Sequence, residues 1–258
     1  TVSKPSSRKK IKQSLVTFYD KISSFFARDT DALFIGTYLS RINEIMLSLS
    51  MNQFPRLIRR APIIKILVDD SQRKWKLFGE ENQTEFEECV RNLIPQQIPA
   101  SYMEGFSNLT EQVSTLAWPS RPKVIFTSNN YSTDDLFKVY VAEKTERGSP
   151  LVLGQHGGGY GGYLWAFYEE HQLAICDSFL SWGWTDVSEP KVKPIGQLKT
   201  KTPIGVQHSK KNGIMLVMVK LPIQSYHLFS SPISSQWLDY FSDQCDFVDS
   251  LTDKISDV

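Results

Sequence analysis

Between Lys123 and Leu153 the chain alternates in a way that leaves few folds open. Lys123 to Thr127 (KVIFT) reads as a strand, Ser128-Asn129-Asn130 as a loop, and Leu151-Val152-Leu153 as a second, buried strand. Between them, Asp134 to Glu146 reads as a helix with Leu136, Val139 and Tyr140 on its apolar face, ended by Gly148. A strand, a helix and a strand with short connections form the βαβ unit of a parallel sheet. In such sheets ligands bind beyond the carboxyl ends of the strands. The second strand runs into Gly154-Gln155-His156-Gly157-Gly158-Gly159-Tyr160-Gly161-Gly162, which holds six of the chain's 14 glycines. Glycine lets the backbone reach left-handed conformations and lets a ligand approach it closely. Bare N–H groups at a strand end can hold an anion or a polarised oxygen, and His156 adds a group that titrates near neutrality.

The rest of the chain extends this α/β pattern. Ala32 to Ile35 and Phe179 to Trp182 read as further strands of one parallel sheet with 123–127 and 151–153. Helices are expected at 11–26, where Ile11, Leu15, Phe18, Ile22 and Phe25 recur at spacings of four and three, and after Gly36 through Ile42, Ile45, Met46 and Leu49. Thr84 and Glu87 form a capping box for a helix that Pro95 and Pro99 end, and another covers 103–117. Residues 63–68 fit a strand or a helix end. Residues 185–212, rich in Pro, Lys, Gly and Thr, lack apolar periodicity and read as leading away from the sheet. Ile214 to Val219 then opens a second α/β unit, and a helix runs from Ser234 through Trp237, Phe241, Phe247, Val248 and Leu251.

Composition narrows the function classes. A net charge of +1 gives no bulk attraction to nucleic acid, and 41% hydrophobic with 22% charged residues is ordinary for a globular protein. No apolar run approaches bilayer-crossing length, and no signal-peptide pattern stands at the N-terminus. Cys89, Cys176 and Cys245 are odd in number and widely spaced, which fits reduced thiols in the cytoplasm and gives no metal-ligand spacing. No Asp-x-Asp motif occurs; Asp69-Asp70 and Asp134-Asp135 are adjacent pairs that point to different faces, so no metal is expected. Arg8, Lys9, Lys10 and Lys12 fit a solvated helix face or attraction to an anionic membrane surface. The chain starts at Thr1 without methionine and stops at Val258 within a helical stretch, so it is expected to be a fragment.

The glycine run admits several chemistries. It lacks the Gly-x-x-x-x-Gly-Lys-Ser/Thr of a phosphate loop and misses the dinucleotide fingerprint. His156-Gly157-Gly158-Gly159 matches the oxyanion loop of α/β-hydrolase esterases, but no Gly-x-Ser-x-Gly elbow follows, and Ser225 has no flanking glycines. A tight turn around a satisfied core histidine is a further reading.

Gln155-His156-Gly157-Gly158-Gly159-Tyr160-Gly161, Glu169-x-His171 and Asp177-Ser178-Phe179-Leu180-Ser181-Trp182-Gly183-Trp184 resemble, in order, the motifs of a family of transferases from bacterial O-antigen and surface-carbohydrate gene clusters, the leptospiral-type family. Ser128-Asn129-Asn130-Tyr131, Gln224 to Ser230 and Gln236-Trp237 also look like that family, over roughly residues 120–250. That family is similar to GT-B-like capsule and teichoic-acid polymerases and Kdo transferases. The resemblance implies two Rossmann-like domains facing a cleft: an acceptor-side domain over 1–190, a crossing at 191–212, and a donor-binding domain begun at 213–258. It implies transfer of a sugar or sugar-phosphate unit from a nucleotide-activated donor to a glycan or lipid-linked acceptor. No cofactor, metal or nucleic acid is expected to take part, and the expected location is cytoplasmic, with peripheral contact to the inner membrane left open. With the donor domain only begun, this chain alone is expected to be inactive or to bind only.

Within that reading His156 is the general base for the acceptor hydroxyl, or a hydrogen-bond donor to the donor phosphate. Gln155 orients it or the acceptor, and Gly157, Gly158 and Gly159 offer N–H groups and room. Tyr160 lies on the groove rim. Glu169 and His171, two apart, do not share a helix face, so one of them faces the cleft. Asp177 orients a histidine or caps a turn. Trp182 and Trp184 fit the core or a sugar platform, and Tyr226 and His227 are candidates for donor contacts.

Overall fold

The computed structural model describes residues 19, 22–56, 58, 66–79, 84–163, 166–199, 216–218 and 236–251. Its centre is a sheet of five strands, β1 (Leu33–Phe34), β2 (Ile125–Thr127), β3 (Leu151–Gly154), β4 (Ser178–Ser181) and β5 (Val192–Pro194). All neighbouring strands are parallel, and the order across the sheet is β1-β2-β3-β4-β5. The four strands expected from the sequence thus share one parallel sheet. Helices α1 (Arg41–Ser50), α2 (Glu85–Gln97) and α3 (Phe106–Thr115) separate β1 from β2. Helices α4 (Asn130–Thr133) and α5 (Asp135–Glu146) separate β2 from β3, and α6 (Phe167–Ile175) separates β3 from β4.

Every connection steps the same way across the sheet, and parallel crossovers are right-handed, so the intervening helices fall on one face. The register shows it. Leu33, Ile125 and Leu151 form one row, and Thr127, Leu153, Phe179 and Val192 form the next on the same face. These residues are almost completely buried, and all but Thr127 form one cluster with Leu109 and Val113 of α3 and Leu136, Phe137 and Tyr140 of α5. The other face carries Phe34, Val152 and Leu180, which are only half-buried. Burying a side chain such as Phe137 or Phe179 stabilises the fold by about 1.5–3 kcal/mol. Among the described residues the strand order never reverses, so the sheet lacks the switch point at which a doubly wound sheet binds its ligand. The loops gather along its whole carboxyl edge instead.

Several expectations change in detail. Pro95 does not end its helix: α2 starts at the Thr84–Glu87 capping box and runs through Pro95 to Gln97, because a proline in the last turn forfeits only one intrahelical bond. Helix α1, capped by Ser40, turns its apolar stripe outward: Ile42 and Met46 are exposed while Ser48 is buried. The expected crossing at 191–212 is corrected at its start, since Val192–Pro194 is the fifth strand. It escapes hydropathy reading because Val192 is its one buried residue, and Pro194 is tolerated on an edge strand. The loop after β2 folds into the single turn α4 from Asn130 onward.

Tyr19 and residues 22–25 are helical, and the remainder of the 11–26 helix lies outside the described residues. Residues 66–68 and 216–218 carry no regular structure, and the rest of 63–68 and of the strand expected at 214–219 lies outside the described residues. The chain divides into two compact units, Thr1–Lys201 and Thr202–Val258. In the second, helix α7 (Gln236–Asp249) buries none of its residues. Among the described residues no helix is long and apolar enough to cross a membrane.

Candidate active site at the carboxyl edge of the sheet

Each strand delivers its following loop to the same edge, and hydrogen bonds lace these loops together. After β1, Gly36 takes a φ of +58°, and a Cβ there would lie 2.2 Å from Asn130 Oδ1, so the loop after β1 passes this close to the Asn130 side chain only because the residue is glycine. Ser128 Oγ donates to the Thr37 carbonyl at 3.1 Å, and Asn129 Nδ2 donates to the Tyr38 hydroxyl at 2.8 Å. Tyr38 itself sits at a φ of +61°, a conformation that costs a non-glycine residue about 1–3 kcal/mol and is held by its neighbours.

Gln155 joins the loops after β3 and β4. It is buried, and its Oε1 accepts from the Trp182 backbone N–H at 2.8 Å and from Trp184 Nε1 at 2.9 Å. Its Nε2 donates to the Gly157 carbonyl at 2.8 Å, and its own carbonyl accepts from Trp182 Nε1 at 3.0 Å. The side chain therefore shapes two loops and does not orient His156.

The glycines divide into two kinds. Gly159 (φ +86°) and Gly161 (φ +67°) are required by backbone and packing, since a Cβ would lie 2.3 Å from the Tyr163 ring and 2.8 Å from the Trp184 ring respectively. Gly157 and Gly158 have no positive φ, and among the described residues a Cβ on either would meet nothing within 4 Å. The N–H of Gly161 is already taken by Glu169 Oε2 at 2.8 Å, so this carboxylate anchors the run.

His156 is half-buried. Its Nδ1 lies 3.0 Å from the Tyr160 hydroxyl, and its ring stacks on Tyr38 with centroids 6.5 Å apart. Burial lowers its pKa from the usual histidine value, the Lys199 charge lowers it further, and the Ser128 backbone opposes both. The imidazole is therefore neutral at pH 7. Lys199 Nζ stands 4.0 Å from the centre of the Tyr38 ring, a cation–π contact that holds a positive charge beside the histidine. Tyr160 is buried between Phe179 and Tyr168, and its hydroxyl accepts from Gln172 Nε2 at 2.7 Å.

The other residues expected at the site are spread out. His171 is exposed on α6, 6.1 Å from the Tyr131 ring, and lines a groove of about 710 Å³ between α5 and α6 with Tyr131, Tyr168, Phe167 and Lys138. Asp177 lies at the opposite end of the strands, where its Oδ2 accepts from the Leu151 N–H at 2.7 Å. It caps the amino edge of the sheet, far along the strands from the glycine run. Trp184 packs against Phe179, in the core rather than as a platform. Tyr226, His227 and Ser225 lie outside the described residues, and so does the expected groove wall they would form. Among the described residues no hydrogen bond joins a serine hydroxyl to His156 or His171, and no group of three His, Cys, Asp or Glu side chains could hold a metal ion.

Sequence reading missed Tyr38, Asn129 as its partner, Gln172 and Lys199. Tyr38 follows a glycine at the end of the first strand, the same signature as the 154–162 run in miniature. Lys199 sat unmarked among the other lysines of a stretch without periodicity.

No curated protein and no solved structure matches the chain. The sequence model of the LIC12162 family transferase matches it over residues 1–258, its full length. The chain therefore belongs to the LIC12162 family of transferases.

Proposed function

We propose that the chain is a glycosyltransferase of bacterial O-antigen or capsule assembly. It moves a sugar or sugar-phosphate unit from a nucleotide-activated donor to a glycan or lipid-linked acceptor, on the cytoplasmic side of the inner membrane. The proposal includes a GT-B-like plan with 1–190 on the acceptor side and 213–258 opening a donor-binding domain. Membership of a transferase family supports the reaction type. The observation that carries the finer reading is the pairing of open backbone at Gly157 and Gly158 with His156 and Lys199 at the carboxyl edge of a parallel sheet. A nucleotide-activated sugar departs from an anion. Backbone N–H groups, an imidazole and an ammonium are the groups that stabilise such a leaving phosphate without a metal.

The test is binding of the chain to a panel of uridine, guanosine, thymidine and cytidine nucleotide sugars, followed by ligand-observed NMR. Saturable binding of one nucleotide class, weakened in Lys199→Met and His156→Ala, supports the reading. Equal binding of all donors by these variants and the natural chain, or no binding at all, overturns it.

A further inference from the structure

The hydrogen bonds around His156 decide which of its nitrogens carries the proton. Gln172 is fully buried, and its Nε2 donates to the Tyr168 carbonyl at 2.9 Å and to the Tyr160 hydroxyl at 2.7 Å. A carbonyl only accepts, so the amide nitrogen, not the amide oxygen, faces Tyr160. The Tyr160 oxygen thus accepts from Gln172. With its oxygen loaded as an acceptor, Tyr160 has its own proton free for His156 Nδ1, 3.0 Å away. A neutral imidazole that accepts at Nδ1 carries its proton at Nε2.

We propose that Tyr160 is a positioning residue that holds His156 as a neutral Nε2–H imidazole, so that His156 donates a hydrogen bond to a phosphoryl oxygen rather than taking a proton from the acceptor hydroxyl. The identity of that oxygen rests on the glycosyl-transfer reading; the tautomer does not. The lone pair that a general base would use is already occupied by the Tyr160 proton. The proton of an acceptor hydroxyl then leaves to a group other than His156. Lys199 adds the positive charge that an anionic oxygen requires, and the open positions at Gly157 and Gly158 leave room for it. The groups facing the ring are Tyr38 from the loop after β1, Tyr160 after β3, Lys199 after β5 and the Ser128 backbone carbonyl after β2, which accepts from a ring N–H and with which a phosphoryl oxygen would share the Nε2 proton. Tyr131, Gln172 and Glu169 act behind Tyr160. Of these, Lys199 is the charge set directly against the histidine, and it too favours the neutral ring.

The experiment is a long-range ¹H–¹⁵N correlation spectrum of the ¹⁵N-labelled full chain. His156 is one of four histidines, and its signals are assigned with a His156→Gln variant. The expected spectrum shows Nε2 protonated, Nδ1 bare and hydrogen-bonded, and titration below the ordinary histidine range. Tyr160→Phe keeps the ring on Phe179 and removes only the hydroxyl. It is expected to populate both tautomers and raise the His156 titration midpoint, with the thermal midpoint checked for an intact fold. A proton on Nδ1 in the natural chain, or an unchanged spectrum in Tyr160→Phe, overturns the tautomer assignment. Uridine diphosphate and inorganic phosphate are then titrated separately. A shift of the Nε2 proton, with affinity weakened about tenfold in Lys199→Met, supports the phosphoryl contact; uridine diphosphate alone assigns the oxygen to the donor, and both assign it to phosphate in general. No shift with either overturns the contact. A donor panel without binders would sink the glycosyl-transfer reading while leaving the tautomer result standing.

Discussion

A glycine can serve its own backbone or a visitor, and the run after β3 holds both kinds. Gly159 and Gly161 sit at positive φ with rings pressed against the missing Cβ. Their alanine variants should each lose about 1–3 kcal/mol in urea denaturation. Gly157 and Gly158 have neither constraint, so alanine there should leave stability within about 0.5 kcal/mol while weakening donor binding, measured by calorimetric titration. Equal destabilisation at all four positions would make the run a tight turn and nothing more. His156 belongs to the same comparison. Removing a single preorganised donor at a developing charge costs roughly 10²–10³-fold in turnover. In a catalytically active form of the enzyme His156→Ala should show such a loss of donor turnover, and in this chain it should leave the thermal midpoint nearly unchanged, because the ring is only half-buried and stacked on one face.

At the scale of elements, Gln155 clamps the end of β3 to the loop after β4, and the stability of that edge rests on it. Gln155→Ala would strand the Trp182 N–H and the Trp184 indole N–H without an acceptor. Each buried orphan costs about 1–3 kcal/mol, so the urea midpoint should fall clearly. Asp177→Ala is the contrast. It removes one acceptor at the amino edge and should cost about 1 kcal/mol with donor binding unchanged; a loss of binding would restore Asp177 to the site. These two residues show what sequence makes legible. Strands β2 and β3 could be read because each is a short apolar run between turn signals, and the glycine run marked the right edge of the sheet. β5 could not, because one buried valine between lysines gives no periodicity. The outward stripe of α1 could not either: Ile42, Ile45, Met46 and Leu49 announce a helix, but not which way it faces. Tyr38 and Lys199 meet His156 only because the strand order brings distant loops together, and order across a sheet is not written in local hydropathy.

At the scale of the molecule, one ion pair ties the turn at Asp69–Arg73 to the end of α2 and to Glu104. Arg73 Nε and Nη2 donate to Glu104 Oε1 at 2.6 Å and Oε2 at 2.8 Å, and its Nη1 donates to the Pro95 and Gln96 carbonyls at 3.1 and 3.0 Å. One guanidinium thereby fixes a carboxylate in two-point geometry and satisfies the last carbonyls of α2, whose negative dipole end favours a cation. Glu104 Oε1 also accepts from the Asp69 N–H at 3.0 Å. The Arg73 hydrogen bond is the main reason the Glu104 pKa falls to about 2. Because the folded value lies below the unfolded one of about 4.3, the unfolded chain binds the extra proton as pH falls. The stabilisation is complete above about pH 4.5 and is lost progressively as pH falls towards 2. His156, also depressed, acts in the same direction at higher pH, its contribution declining below the ordinary histidine value. Urea midpoints measured from pH 7 down to pH 2 should therefore fall in two steps. The step below pH 4.5 should shrink in Arg73→Met, in which Glu104 keeps a pKa nearer its unfolded value and the variant is already less stable at pH 7. The step below pH 6.5 should survive Arg73→Met and shrink in His156→Gln. Profiles of the natural chain and Arg73→Met that run parallel down to pH 2 would show that this ion pair does not set the acid stability of the fold.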